Sequence, residues 1–297
     1  MTALAAVRFQ TNWLQILQSQ FMVHALIGGS LVAVAAGLLG YFVITRQNAF
    51  AAHALAHIGF PGATGAILVG APVIVGLAVF CVGGGLLIGL FGRRVADREM
   101  ATGTILALAT ALGVLFASLA SANASTTTSV LFGNLLAISR NQLVVYGAFT
   151  LAVVGTLAVL ARPLVFASVD PAVAEARGVP VRALGLAFVV LLALTITMAV
   201  QVVGTLLLFA LVVTPAATAL RITARPVRVA AIAVALALGA VWGGLVLSAM
   251  VDLPPSFFIV SLAVTAWVVV LAVVGRRRRL PEEPLVDAHH PLSPAQT

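Results

Sequence analysis

Stretches of roughly 20 apolar residues recur along this 297-residue chain, and each is long enough to cross a bilayer as a helix. They fall near 22–45, 48–70, 71–92, 101–120, 143–163, 183–203, 205–220, 228–250 and 256–275. Inside hydrocarbon, backbone polar groups must be satisfied without water, which leaves only α-helices and closed β-barrels. Barrel strands alternate in segments of about ten residues, a pattern that does not occur here. The expectation is an all-α polytopic membrane protein with about 8–9 transmembrane helices. Composition agrees, since 62% of residues are apolar and 8% charged, against about 25% charged in soluble domains.

All 16 basic residues are arginine. Without lysine the phosphate-binding G-x-x-x-x-G-K-[ST] loop cannot be built, and Schiff-base or Ser-Lys chemistry is excluded. An ATP-driven function would therefore need another polypeptide to hydrolyse the nucleotide. The net charge of +8 sits in short gaps between apolar runs: Arg93–Arg94, Arg221, Arg225, Arg228 and the run Arg276–Arg279. That is the signature of cytoplasmic loops rather than of a nucleic-acid surface. It predicts a cytoplasmic C-terminus, with 221–228 and 164–182 on the same side and 251–256 opposite. Cys81 stands alone, so there is no disulfide framework.

Three divisions are expected: an amphipathic segment at 1–20, a transmembrane body at 21–279, and a proline-rich disordered cytoplasmic tail at 280–297. Residues 1–20 lack a long apolar run and a small-residue cleavage site, so no cleavable signal peptide is expected. The stretch 121–142 reads as a loop or a short helix dipping into the membrane. The polar stretch 164–182 holds a short helix with Asp170 as N-cap, Pro171 in its first turn, then Glu175 and a terminating Gly178. It suits either docking of a soluble partner or a simple connection.

Within "FAAHALAHIGFPG", residues 50–62, His53 and His57 are four apart and share one helix face. The same spacing lets a helix present two imidazoles to one metal ion. His57 is expected about 16 Å along the axis from Arg46, at ~1.5 Å per residue, near the middle of the hydrocarbon layer. Ionisable groups there are costly and point to function. Gly59, Pro61 and Gly62 follow and predict a break, with 48–70 either one span or two half-helices. Pro215 marks a second candidate bend. Asp252, at the outer end of a span, is a further candidate for cation capture. His24 is expected at the interface, and His289 and His290 in the solvated tail. No grouping with nucleophile character occurs, so catalysis on this chain is not expected.

Several motifs, taken in order, resemble the membrane-permease subunits of bacterial ABC importers for zinc and manganese. They are "FMVHALIGGSLVAVAAGLLGYFVITRQNAF", "AHALAHIGFPG", "REMATGTILALATALGVLF", "LFGNLLAISRNQL", "DPAVAEARGVPVRAL" and "VVGTLLLFALVVTPAATA", spread over roughly residues 20–275. The resemblance implies a type II ABC importer-like permease in the bacterial cytoplasmic membrane. It would work as a homodimer, with cytoplasmic ABC ATPase subunits that use the ATP, an extracytoplasmic metal-binding protein, and membrane lipid around it. It implies no permanently bound cofactor, with Zn2+ or Mn2+ as cargo. About 168–180, with Asp170, Glu175 and Gly178, would be the coupling helix. His57 matches a family histidine proposed to contact the ion. His53 stands where many members carry aspartate, and imidazole in place of carboxylate favours zinc over manganese. The other functional readings are a proton-coupled secondary metal transporter and an ABC permease for a metal chelate such as a siderophore or cobalamin.

Overall fold

The computed structural model describes residues 12–91, 95–119, 132–205, 208–251 and 253–277. Residues 1–11 and the tail 280–297 therefore lie outside the described residues. The described part is helical: α1 Trp13–Leu17, α2 Gln20–Thr45, α3 Ala49–Leu68, α4 Val73–Phe91, α5 Val95–Leu119, α6 Arg140–Val169, α7 Pro171–Ala176, α8 Val181–Val203, α9 Leu208–Val212, α10 Thr214–Ile222, α11 Pro226–Val251 and α12 Pro255–Arg277. Seven of these are long and apolar enough to cross a membrane. The other two passages are α3 and the shorter apolar stretch Leu208–Ile222.

The two less greasy passages have a physical reason. The helix α3 is enclosed by α4, α5 and α8, and buries Ala51, Ala52, Ala54, Leu55, Ala56 and Ile58 in one run. Packed on most of its surface, α3 can carry polar residues that a lipid-facing helix cannot, although α2 and α8 are also largely buried and stay strongly apolar. By contrast, only 11% of the apolar window of α12 is buried, against 67% for α2. The centre of the bundle is thus α2, α3 and α8, with α4, α5, α6, α11 and α12 outside them.

Interhelical contacts at both ends establish the alternation of the chain. At one end Arg46 Nη1 donates to Ser168 Oγ at 3.4 Å, and Arg98 Nη2 donates to the carbonyls of Arg46 and Gln47. At the other end Asn134 N donates to the Gln201 carbonyl at 3.0 Å and Ser256 Oγ to the Phe132 carbonyl at 3.1 Å. The first end also carries Arg177, Arg182, Arg221, Arg225 and Arg228, in the connections that begin or end there.

The structure corrects the expected division of 48–70. Although Pro61 lies inside it, α3 is one continuous helix from Ala49 to Leu68. Proline's fixed φ is compatible with the helix, and what it removes is the donor for the carbonyl four residues back, that of His57. Neighbouring helices hold the rest in place. Gly62 and Gly76 of α4 meet backbone to backbone, and Gly59 faces Leu77 and Cys81. In the expected 205–220 segment the interruption is one residue, Val213, between α9 and α10 with Pro215 in its first turn, and Val213 N still donates to the Phe209 carbonyl at 2.9 Å.

Two other boundaries move. Helix α6 runs through Pro163 to Val169, so the expected connection at 164–182 begins while the chain is still helical. Its first six residues, "LVFASV", are mostly apolar and continue the span. Within 121–142, residues 132–139 form an irregular segment with a 3-10 turn at Leu135–Ala137, pinned by buried Leu135 and Ile138. A capping box between Ser139 and Gln142 then starts α6.

Candidate functional site

One stripe of α3 is left uncovered by the rest of the chain. Phe50 is 44% exposed, and His53, His57 and Phe60 are half-buried, while the residues between them are buried. The spacing 50, 53, 57, 60 is a single helical face. The imidazoles of His53 and His57 have ring centroids 4.8 Å apart, edge to face at 74°. Phe209 of α9 lies against His53 with a centroid distance of 6.0 Å. Among the described residues, neither imidazole has a hydrogen-bond partner.

This geometry is suited to holding a cation by nitrogen. The 4.8 Å centroid separation sets two nitrogen-bearing rings side by side, and histidine nitrogen binds zinc at ~2.0–2.1 Å. No group of three or more His, Cys, Asp or Glu side chains that could hold a metal occurs among the described residues. One chain therefore offers two nitrogen donors and leaves the remaining coordination positions open. Pro61 adds a local feature, since the His57 carbonyl lacks its usual helical donor and α3 misses one rung beside the pair.

The other site residues fall in separate places. Asp252 lies outside the described residues, as do His289 and His290. His24 is at the end opposite the arginines, with Nδ1 3.1 Å from the Ile138 carbonyl, and is not part of the pair. At the arginine end, Asp170 caps α7 by accepting from Val173 N at 3.0 Å. Gly178 ends that turn with φ +80°, a left-handed conformation that favours glycine. Only Ala174 of α7 is buried, so Glu175, Val173 and Arg177 face outward. Helix α7 is thus anchored by one small residue and displays the rest.

Phe209 has no counterpart in the sequence-based reading. It comes from a helix about 150 residues away along the chain, and no periodicity relates it to His53. Near it, Ala210, Val213, Thr214 and Ala217 face Val260, Val264 and Trp267 of α12 across an open apolar groove of about 480 Å³.

With this geometry described, similarity to known proteins can be stated. The chain is 32% identical over 212 residues to the manganese transport system membrane protein MntC of Halalkalibacterium halodurans, covering 71% of this chain and 73% of that protein. It is 28% identical over 262 residues to the high-affinity zinc uptake system membrane protein ZnuB of Haemophilus influenzae, covering 87% and 99%. Among solved structures it superposes on a chain of PsaBC from Streptococcus pneumoniae, determined in complex with Fab, with a TM-score of 0.81 and 26% identity, covering 91% of this chain and 98% of that one. The match to the ABC 3 transport family runs over residues 18–274, and the chain belongs to that family.

Proposed function

We propose that this chain is the membrane-spanning subunit of an ATP-driven importer for divalent transition-metal ions, with zinc favoured over manganese. One observation carries the reading: His53 and His57 stand 4.8 Å apart, without hydrogen-bond partners among the described residues, on the uncovered stripe of an otherwise buried helix. Two unpartnered imidazoles facing hydrocarbon would be costly. A second copy of the chain laid over this stripe would remove them from lipid and surround the ion path from both sides. Two nitrogens per chain make an incomplete ligand set, which suits an ion that must leave again. Imidazole at both positions suits zinc, whereas manganese prefers oxygen donors. The two relatives bear the names of a manganese and a zinc system, so family membership does not choose between the ions, and the two imidazoles are what supports zinc.

The clustered arginines support a cytoplasmic location for their end of the bundle, which directs α7 to the cytoplasm and the start of α2 outward. In this orientation α7, from Asp170 to Gly178, is the docking element for an ABC ATPase subunit that supplies ATP hydrolysis. An extracytoplasmic metal-binding protein delivers the ion to the opposite end. Closure of the ATPases moves α7 and, through α6 and α8, the helices around His53 and His57. The missing rung at Pro61 and the α9–α10 interruption beside Pro215 are where these helices bend. Asp252, which follows α11 in the sequence, is the residue we assign to cation capture.

The test is metal-resolved uptake by cells expressing the chain with its ATPase. His57→Ala is expected to abolish zinc uptake while leaving membrane insertion and ATPase binding intact. Normal uptake by the His53→Ala, His57→Ala double variant would refute the metal site. Uptake that survives loss of the ATPase but collapses with an uncoupler would refute the ATP-driven reading and favour proton coupling.

A further inference from the structure

At the arginine end, a cavity of about 420 Å³ opens between α3, α4, α5 and α8, with Ala51 and Leu55 lining it from the face of α3 opposite His53 and His57. Arg46, Arg98, Arg182 and the buried Asn48 line its mouth. No carboxylate lines it among the described residues. The first turns of α3 and α8, at Ala51 and at Val181 and Gly185, open onto the same space. The N-termini of α3 and α8 thus meet three guanidinium groups there, beside the last turn of α4 at Ile88–Leu90 and the C-terminal end of α2 at Arg46.

The hydrogen bonds these side chains make do not account for the charge. Arg98 spends Nη2 on the carbonyls of Arg46 and Gln47, which caps the C-terminus of α2. Arg46 donates Nη1 to Ser168 and lies over the Phe188 ring at 5.7 Å. Each guanidinium has five N–H donors, so most remain uncommitted. Burial, and then the neighbouring Arg98, push the Arg46 guanidinium below its usual range, and burial lowers Arg98 as well, against the opposing pull of Glu99.

The upper part of the cavity is different. Leu55, Ile88, Leu186, Val189 and Leu192 form its walls. From Val181 to Leu192 it follows α8 for about 16 Å, at ~1.5 Å per residue, from the arginine level into the apolar layer. Gly185 faces this mouth, where a Cβ would lie 3.6 Å from Arg46 Nη2, in ordinary contact, so that only a larger side chain would fill the space. A cationic mouth below an apolar channel matches an amphiphile with a phosphate head.

We infer that this cavity is a binding site for the phosphate group of an anionic phospholipid, with the adjoining part of an acyl chain in the apolar channel. Arg46, Arg98, Arg182 and Asn48 supply donors to the phosphate oxygens, in the charge-assisted geometry that suits guanidinium. A lipid bound there joins the α2–α3 turn to α8 directly above α7.

The full-length protein can be purified in detergent and exposed separately to phosphatidylglycerol, phosphatidylcholine and inorganic phosphate. Retention is read by native mass spectrometry and stabilisation by thermal unfolding. Phosphatidylglycerol is expected to bind at least about fivefold more tightly than phosphatidylcholine, and Arg182→Gln to weaken it about fivefold, at ~1 kcal/mol per arginine near a membrane surface. Gly185→Leu, which keeps every arginine but fills the mouth, is expected to remove the preference. The wild-type comparison of the two lipids does not depend on either variant folding. Equal retention of the two lipids by the wild type would overturn the site. Equal stabilisation by inorganic phosphate would overturn the lipid as its source, and undiminished phosphatidylglycerol binding by both variants would overturn the location.

Discussion

The contact between Gly62 of α3 and Gly76 of α4 gives a prediction whose sign can be worked out from the structure. A Cβ added at Gly62 would lie 2.7 Å from the Gly76 carbonyl carbon and 2.9 Å from Phe80 Cβ, and would press on the Gly76 oxygen. Ordinary contact begins at 3.4 Å, so Gly62→Ala must separate the two helices by at least about 0.7 Å, the carbonyl oxygen demanding more than the carbon. A gap of about 0.5–1 Å forfeits a quarter to a half of each attractive contact beside it, and overpacking of this kind costs about 1–3 kcal/mol. Alanine's better helix propensity returns about 0.5–1 kcal/mol, which leaves a net loss of up to about 2 kcal/mol. Gly155 of α6 provides the control, because a Cβ there meets nothing within 4 Å. Gly155→Ala is expected to stabilise by about 0.5–1 kcal/mol. Unfolding of the purified full-length variants in one detergent, followed by circular dichroism, should therefore move in opposite directions. The Gly62→Ala, Gly76→Ala double variant should lose less than the sum of the single losses, since the second methyl enters space already opened. Equal unfolding of Gly62→Ala, Gly155→Ala and wild type would refute the close approach and the account of why α3 stays continuous.

Other substitutions probe the proposed transport path and the packing around it. His57→Ala should lower zinc uptake by more than the about 10–100-fold that loss of an outer-shell partner costs a metal site, read as zinc accumulation at matched membrane levels. His53→Asp should raise the ratio of manganese to zinc uptake, because it replaces a nitrogen donor with oxygen, and an unchanged ratio would remove His53 from the selectivity argument. Gly178→Val places a β-branched residue at φ +80°, which costs about 1–2 kcal/mol or forces the turn to change. ATPase activity in the assembled transporter should then persist while transport falls, and a parallel fall of both would argue against α7 as the coupling element. Tyr146→Phe removes the donor to Gln201 Oε1 at 2.7 Å and should cost about 0.5–1.5 kcal/mol in the same unfolding assay.

Much of the architecture is legible in the chain itself, for physical reasons. A run of 20 apolar residues has one stable state in a membrane, so α2, α4, α5, α6, α8, α11 and α12 follow closely from the segments read off the sequence. The short helix α7 is legible because its cap, its proline and its terminating glycine are all local features. The histidine pair is legible as a shared helix face. Two features mislead when read locally. "GFPG" carries the residues of a break, yet Gly59 and Gly62 serve close packing against α4, and Pro61 costs a single hydrogen bond within a helix held from outside. The polar look of 164–182 similarly conceals the last turn and a half of α6.

By itself, the sequence determined that the chain lives in a membrane as helices, that no lysine-dependent nucleotide loop exists on it, and that His53 and His57 face one way. Each of these depends on composition or on a period of a few residues, which a linear string records directly. The tertiary structure decided what surrounds those residues. It buried α3 among α4, α5 and α8, laid Phe209 against His53, and left the imidazoles without hydrogen-bond partners among the described residues. It also drew Arg46, Arg98 and Arg182 from three distant parts of the chain to one cavity mouth. Periodicity shows which face of a helix is buried. Which neighbour covers that face, and which face stays open, depends on packing between helices that the local pattern does not encode.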